Sequence, residues 1–208
     1  MKKQVRINTS HLSDTVILNN LKRWYNEAMN SEITAGLGWY SEAQTVCEEV
    51  SNLYNLPPYT VATVVSSLSP NNKLNRNKID AINVIKAFQK GLGHEDVKVC
   101  TFHPNKIKAF KALQDGSIID ATAPKTHAFA MNVGLLSAEH ITIDKWHLRA
   151  CECRPSSKPV TEKYGETCTD AQYRRVEMLT ARLAKEYGIK GYQLQAIIWI
   201  TIKRVWNR

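Results

Sequence analysis

No apolar run in this chain comes near the roughly 20 residues a helix needs to cross a bilayer; the longest, Ala196 to Ile202, stops far short. No membrane partner is expected. The opening Met1-Lys-Lys-Gln-Val-Arg6 has no apolar core behind it, so no secretory signal is expected either. Internal repeats and low-complexity tracts are absent, which excludes a repeat array. Strand signals are scarce: Val61–Val65 is β-branched, but its apolar spacing and its setting between helical segments favour helix. Cysteine is too irregular for a disulfide framework. Five thiols (Cys47, Cys100, Cys151, Cys153, Cys168) are an odd number, and reduced cysteines in the cytoplasm of a bacterium or a phage-infected host are expected. Cys151, Cys153 and Cys168 lack the usual Cys-x2–4-Cys spacing of structural zinc, so neither metal nor cofactor is expected.

Positive charge is abundant. The 208 residues carry 28 Lys and Arg against 19 Asp and Glu, a formal net charge of +9. A basic protein of this size often meets nucleic acid. Residues 73–111 hold nine basic and three acidic side chains, and residues 174–208 hold eight and two. Between them, residues 112–173 hold six basic and eight acidic. That distribution suits a polyanion gripped on both sides of a chemical site. Two ordinary solvated helix faces would give it as well.

Helical periodicity runs through the chain. Leu18, Leu21, Trp24 and Ala28 form one stripe, and Val61, Val64 and Leu68 another. Ile79, Ile82, Ile85 and Phe88 form a third. Gly36-Leu-Gly38 reads as a tight turn presenting Trp39, with Ser41 and Gln44 as the capping box of the next helix. His103-Pro104 opens a helix that Gly116 ends, and Thr122-Ala-Pro124 opens one reaching about Gly134. Ile141-Thr-Ile143 is a brief extended piece before a helix start at Asp144. Two helices close the chain near 170–187 and 192–206. The expectation is one all-α domain, monomeric, with two lobes: 1–60 plus 170–208, and 61–169.

Two residues stand out for chemistry. Lys125 follows Pro124 in the first turn of a helix, where the dipole disfavours a cation, as a Schiff-base lysine requires. Most first-turn lysines simply reach into solvent. Asp144 at the next helix start is either a plain N-cap or a carboxylate held ionised by backbone N–H groups. Nineteen residues separate them, a length that can bring two helix N-termini side by side.

The stretch Lys125-Thr126, then Ile143-Asp144 and Arg149, resembles the endonuclease III-like helix-hairpin-helix (HhH-GPD) DNA glycosylases. Ser67-Leu-Ser-Pro70 and the apolar period from Asn77 to Ile85 are similar to that family too, so the likeness spans about residues 60–150. It implies a two-lobed helical fold around a DNA cleft and excision of a flipped, damaged or modified base. Lys125 would attack C1′ of the sugar and go on to cleave an abasic (AP) site as a lyase. Asp144 would assist its deprotonation and stabilise the sugar cation. His127, Trp146, His147, Arg149, Asn71, Asn72 and Trp39 are the candidate substrate and DNA contacts. The family's glycine turn before the lysine is replaced here by Ala121-Thr-Ala-Pro124, a degraded hairpin; its iron–sulfur cysteine pattern is missing, and His147 lies three residues after Asp144 rather than two. Two rivals remain: a phage-type relative that modifies DNA bases, and a DNA-binding module without chemistry.

Overall fold

The protein is described from a computed structural model, which covers residues 9, 11–70, 72–116, 119, 122–135, 137–152 and 168–206. It is all-α: nine helices and one short 3-10 turn, with no strand among the described residues. None of those helices is long and apolar enough to cross a membrane. Two compact units share the chain, Met1–Tyr40 with Ala138–Arg208, and Ser41–Ser137.

The first unit holds α1 (Asp14–Asn26), the beginning of α2 (Asn30–Tyr54), α7 (Lys145–Glu152), α8 (Asp170–Glu186) and α9 (Gly191–Trp206). Ser13 caps α1 by accepting the Val16 N–H, and Thr169 with Gln172 forms a capping box on α8. Apolar faces of α1, α7, α8 and α9 meet in one core: Ile17, Leu21 and Trp24; Leu148 and Cys151; Val176, Leu179 and Leu183; Leu194, Ile198 and Ile202. Each large aliphatic buried there contributes about 1.5–3 kcal/mol. Ile141 and Ile143 join this core, which is why α7 belongs to this unit and the boundaries differ from lobes cut at 60 and 170.

Gly36 and Gly38 lie inside α2, so the expected turn and capping box at residues 36–44 are not formed. The physical reason is packing. A Cβ on Gly36 would lie 2.7 Å from both Cα and N of Ile197. The glycine is used for close backbone approach of α2 to α9, not for a bend.

The second unit holds the rest of α2, then α3 (Pro58–Leu68), α4 (Leu74–Gln89), the 3-10 turn His94–Asp96, α5 (His103–Asp115) and α6 (Pro124–Leu135). Helix α3 is central: every residue from Val61 to Leu68 is buried, and α4, α5 and α6 pack on it. Gly134 of α6 allows another close approach, since a Cβ there would meet the Ala62 methyl at 2.8 Å. The buried face of α4 is Asn77, Asp80, Ala81, Val84 and Ile85, shifted from the expected stripe, and Ile79 is exposed. Polar anchors cause the shift. Asp80 is fully buried and accepts from Arg76 Nε (3.0 Å), Asn72 Nδ2 (2.9 Å) and the Cys100 N–H (2.8 Å).

Candidate functional site

Lys125 sits in the first turn of α6, directly after Pro124, and its side chain is exposed. That turn carries no acidic residue, and no ion pair to Lys125 occurs among the described residues. The helix beneath it is firmly held. Ser66 Oγ of α3 donates to the Thr126 carbonyl at 2.7 Å, and His127 Nδ1 donates to the Ile119 carbonyl at 2.6 Å. Ala128, Phe129, Ala130 and Val133 are buried behind. The result is an amine on a flexible stem rooted in a fixed helix end. His127, expected near substrate, is half-buried and spends Nδ1 on this anchoring.

The same unit has a cleft of about 320 Å³ lined by Asn83, Lys86, Lys90 and Lys98, with Leu92, Asp96 and Val97. All three lysines are exposed. They gather part of the basic 73–111 segment on one shallow, open, cationic patch, of a kind that attracts phosphate. Asn72, a candidate DNA contact, donates its amide to buried Asp80 and, at 3.4 Å, to the Leu68 carbonyl. That work holds the α3–α4 connection. Asn71 lies outside the described residues.

Asp144 belongs to the other unit, and there it is the N-cap of α7. Its Oδ1 accepts the N–H groups of Trp146 (3.0 Å) and His147 (2.9 Å), while its carbonyl accepts from Leu148. The extended piece before it is stitched to α8 by side chains rather than by a strand partner. Tyr173 donates its hydroxyl to the Ile141 carbonyl and accepts the Ile143 N–H; Glu177 accepts the Ile141 N–H. Tyr40, fully buried, donates to Gln195 Oε1 at 2.8 Å. Burial pushes the Tyr40 phenol up, its bond with Thr142 opposes this, and the negative charge of Asp144 adds to the rise. Sequence pattern gave no sign of this tyrosine–glutamine–threonine group, because its members lie on three separate segments.

His147, a candidate DNA contact, is placed in the core. It is completely buried, with Nε2 at 2.8 Å from Thr180 Oγ1. Thr180 donates its own proton to the Val176 carbonyl, so Nε2 carries the hydrogen and Nδ1 has no partner. Burial lowers its pKa to about 3, and the ring is neutral. Trp146 is half-buried against the core, with the Arg149 guanidinium 4.8 Å from its ring centre. Trp39 packs edge-on to Tyr40 at 4.8 Å and to Trp199 at 5.8 Å, and Lys203 lies over Trp199. These three candidates are thereby tied into aromatic and cation–π contacts of their own unit.

Cys151 is buried in the core and Cys168 is half-buried, and burial pushes both thiols up. Cys153 lies outside the described residues.

Comparison with curated proteins and with solved structures returned no match to this chain. A family model does match, over residues 3–205. On that extent the chain belongs to DUF7178, described as a family of unknown function.

Proposed function

We propose that this protein is a DNA-processing enzyme with AP lyase chemistry, a glycosylase/lyase that removes a damaged or modified base and uses Lys125 as its Schiff-base nucleophile. The observation that carries the reading is Lys125 itself: an exposed amine in the first turn of a well-anchored helix, with no acidic residue in that turn. A primary amine held at an anchored helix end is placed to act as a nucleophile toward an aldehyde.

The neutral Lys125 amine adds to the C1′ aldehyde of the open-chain abasic sugar, and the carbinolamine loses water to give an imine. A proton leaves C2′, the electron pair moves toward C3′, and the 3′ phosphate departs with the C–O electrons. Water then hydrolyses the imine, returning the amine. Lys86, Lys90 and Lys98 supply phosphate attraction. The resemblance gives Asp144 the partner carboxylate role. Because Asp144 also caps α7, Asp144→Asn, which keeps an acceptor oxygen, is its informative variant.

Borohydride trapping on DNA containing an abasic site tests the reading. A covalent protein–DNA band is expected, and Lys125→Ala should abolish it while leaving DNA binding within about twofold, since one exposed charge contributes little to binding. A band that persists in Lys125→Ala, or its absence from wild-type protein that binds the DNA, would reject the nucleophile. The commitment of Asp144 Oδ1 to two backbone N–H groups favours one rival, a helical DNA-binding scaffold without chemistry. Retention of binding with no trapped product would support that rival.

A further inference from the structure

We infer that His94, Glu95 and His103 form a binding site for one divalent transition-metal ion of the zinc class, in the Ser41–Ser137 unit and separate from Lys125. Their donor atoms all lie within 4.8 Å of one another. Two short elements bring them together. His94 and Glu95 open the 3-10 turn, with Gly93 N–H held by Asp96 Oδ2 at 2.9 Å, and His103 is the first residue of α5. The six residues between turn and helix are themselves pinned, since the Cys100 N–H reaches buried Asp80 and Lys106 Nζ donates to the Val97 carbonyl at 2.7 Å. The fixed connection therefore sets the two histidine rings edge-on to each other, with ring centres 5.2 Å apart.

The state of His94 points to a ligand. Its Nδ1 is shielded from solvent yet makes no hydrogen bond. Glu95 Oε1 lies 3.3 Å away, close but not aligned to accept from the ring. Phe110 packs edge-on to the His94 ring, with ring centres 6.1 Å apart. A shielded ring nitrogen beside a carboxylate and a second imidazole is a costly arrangement when unpartnered, and a cation between the three relieves it.

The donor set chooses the ion. Two imidazoles and one carboxylate suit Zn²⁺, Co²⁺ or Ni²⁺, whereas Ca²⁺ and Mg²⁺ take oxygen ligands. Donors bound to zinc at about 2.0–2.1 Å in a tetrahedron lie about 3.4 Å apart, so closure requires shifts of roughly 1 Å. The exposed side chains of Glu95 and His103 can supply these by rotation. Three protein ligands leave a fourth position for water or an anion, the pattern of open rather than purely structural zinc sites. The same turn contributes Asp96 to the lysine-lined cleft, so loading the site fixes one edge of that cleft. Sequence spacing concealed the site, because a His-Glu pair and a histidine eight residues further on match no common ligand motif.

Titration of the reduced, chelator-free full chain with Co²⁺ tests this. One equivalent should give visible ligand-field absorption that Zn²⁺ displaces. His94→Asn and His103→Asn should each weaken binding about tenfold or more, and Glu95→Gln should weaken it less. Cys100→Ser removes the exposed thiol nearest in sequence to His103 and should change nothing. Circular dichroism of the metal-free variants checks that they fold; His103 and Glu95 are exposed, so at least those two report on binding alone. Zn²⁺ affinity weaker than millimolar, equal affinity in all three ligand variants, or loss of the signal in Cys100→Ser would overturn the site.

Discussion

Replacing Gly36 with alanine puts a methyl group where the backbone of α9 already is. The new Cβ would stand 2.7 Å from Cα and N of Ile197, with the Ile197 Cγ1 closer still. Relaxed contacts between such atoms lie at about 3.5–4.0 Å, so the two helices must part by the better part of an ångström. Alanine is favoured over glycine in a helix by about 0.8–1.0 kcal/mol. Overpacking of a tight interface costs about 1–3 kcal/mol, and a clash with backbone belongs at the upper end because no rotamer relieves it. The net expectation for Gly36→Ala is a loss of about 2 kcal/mol, read by urea unfolding as a lower midpoint at unchanged slope. A second mutation distinguishes the cause. Ile197→Ala removes Cγ1 but not Cα or N, so the double variant should recover only a minor part of the loss. At Gly134 the obstacle is the Ala62 methyl, a side-chain atom, so Gly134→Ala should be rescued by Ala62→Gly. A Gly36→Ala protein as stable as wild type, or one fully rescued by Ile197→Ala, would refute close backbone approach as the reason for this glycine.

Binding to duplex DNA should weaken steeply with salt, and the triple variant Lys86→Gln, Lys90→Gln, Lys98→Gln should reduce the slope of log K against log salt by about 2.7, at 0.9 per phosphate contact; an unchanged slope would place the DNA elsewhere. His147 is held neutral by burial, its pKa lowered to about 3 from the ordinary 6.5. The unfolded chain takes up that proton first, so the stability contributed is complete above about pH 6.5 and falls toward pH 3 by up to about 1.4 kcal/mol per unit; His147→Gln should flatten that part of the pH–stability curve, and an unaltered curve would show that another group governs it. Asp144→Ala should cost about 1 kcal/mol through loss of the α7 cap, with Asp144→Asn recovering most of it in the same urea assay. If Asn recovers stability but not trapping by borohydride, the carboxylate charge has a role beyond the cap.

The helices were legible because their boundaries rest on local chemistry. Pro124 at a first turn, Gly116 at φ 66° after α5, and Thr169 with Gln172 at the start of α8 each act within a few residues. Errors arose where a partner distant in sequence decided the outcome. Gly36 and Gly38 look like a turn until Ile197 is set against the first of them. Ile79 completes a persuasive apolar stripe, yet α4 is rotated so that Asp80 can receive Arg76, Asn72 and the Cys100 backbone. Periodicity weighs apolar residues equally and has no means of registering a fully buried carboxylate that demands three donors.

Site residues divide along the same line. Position at a helix start was readable for both Lys125 and Asp144, but position alone does not separate a cap from a reactive group. Asp144 Oδ1 holds two backbone N–H groups, whereas no ion pair holds Lys125 among the described residues. His147 and His94 show the converse. Each is a histidine with a ring nitrogen that is buried and unbonded. Around His147 stand Thr180 and an apolar core, so the cheaper state is a neutral ring with one idle lone pair. Around His94 stand a carboxylate and a second imidazole, whose donor atoms converge within 4.8 Å and suit a metal ion between them. The same orphaned atom thus argues for inert packing in one place and for a ligand in the other, and the neighbouring donors decide which.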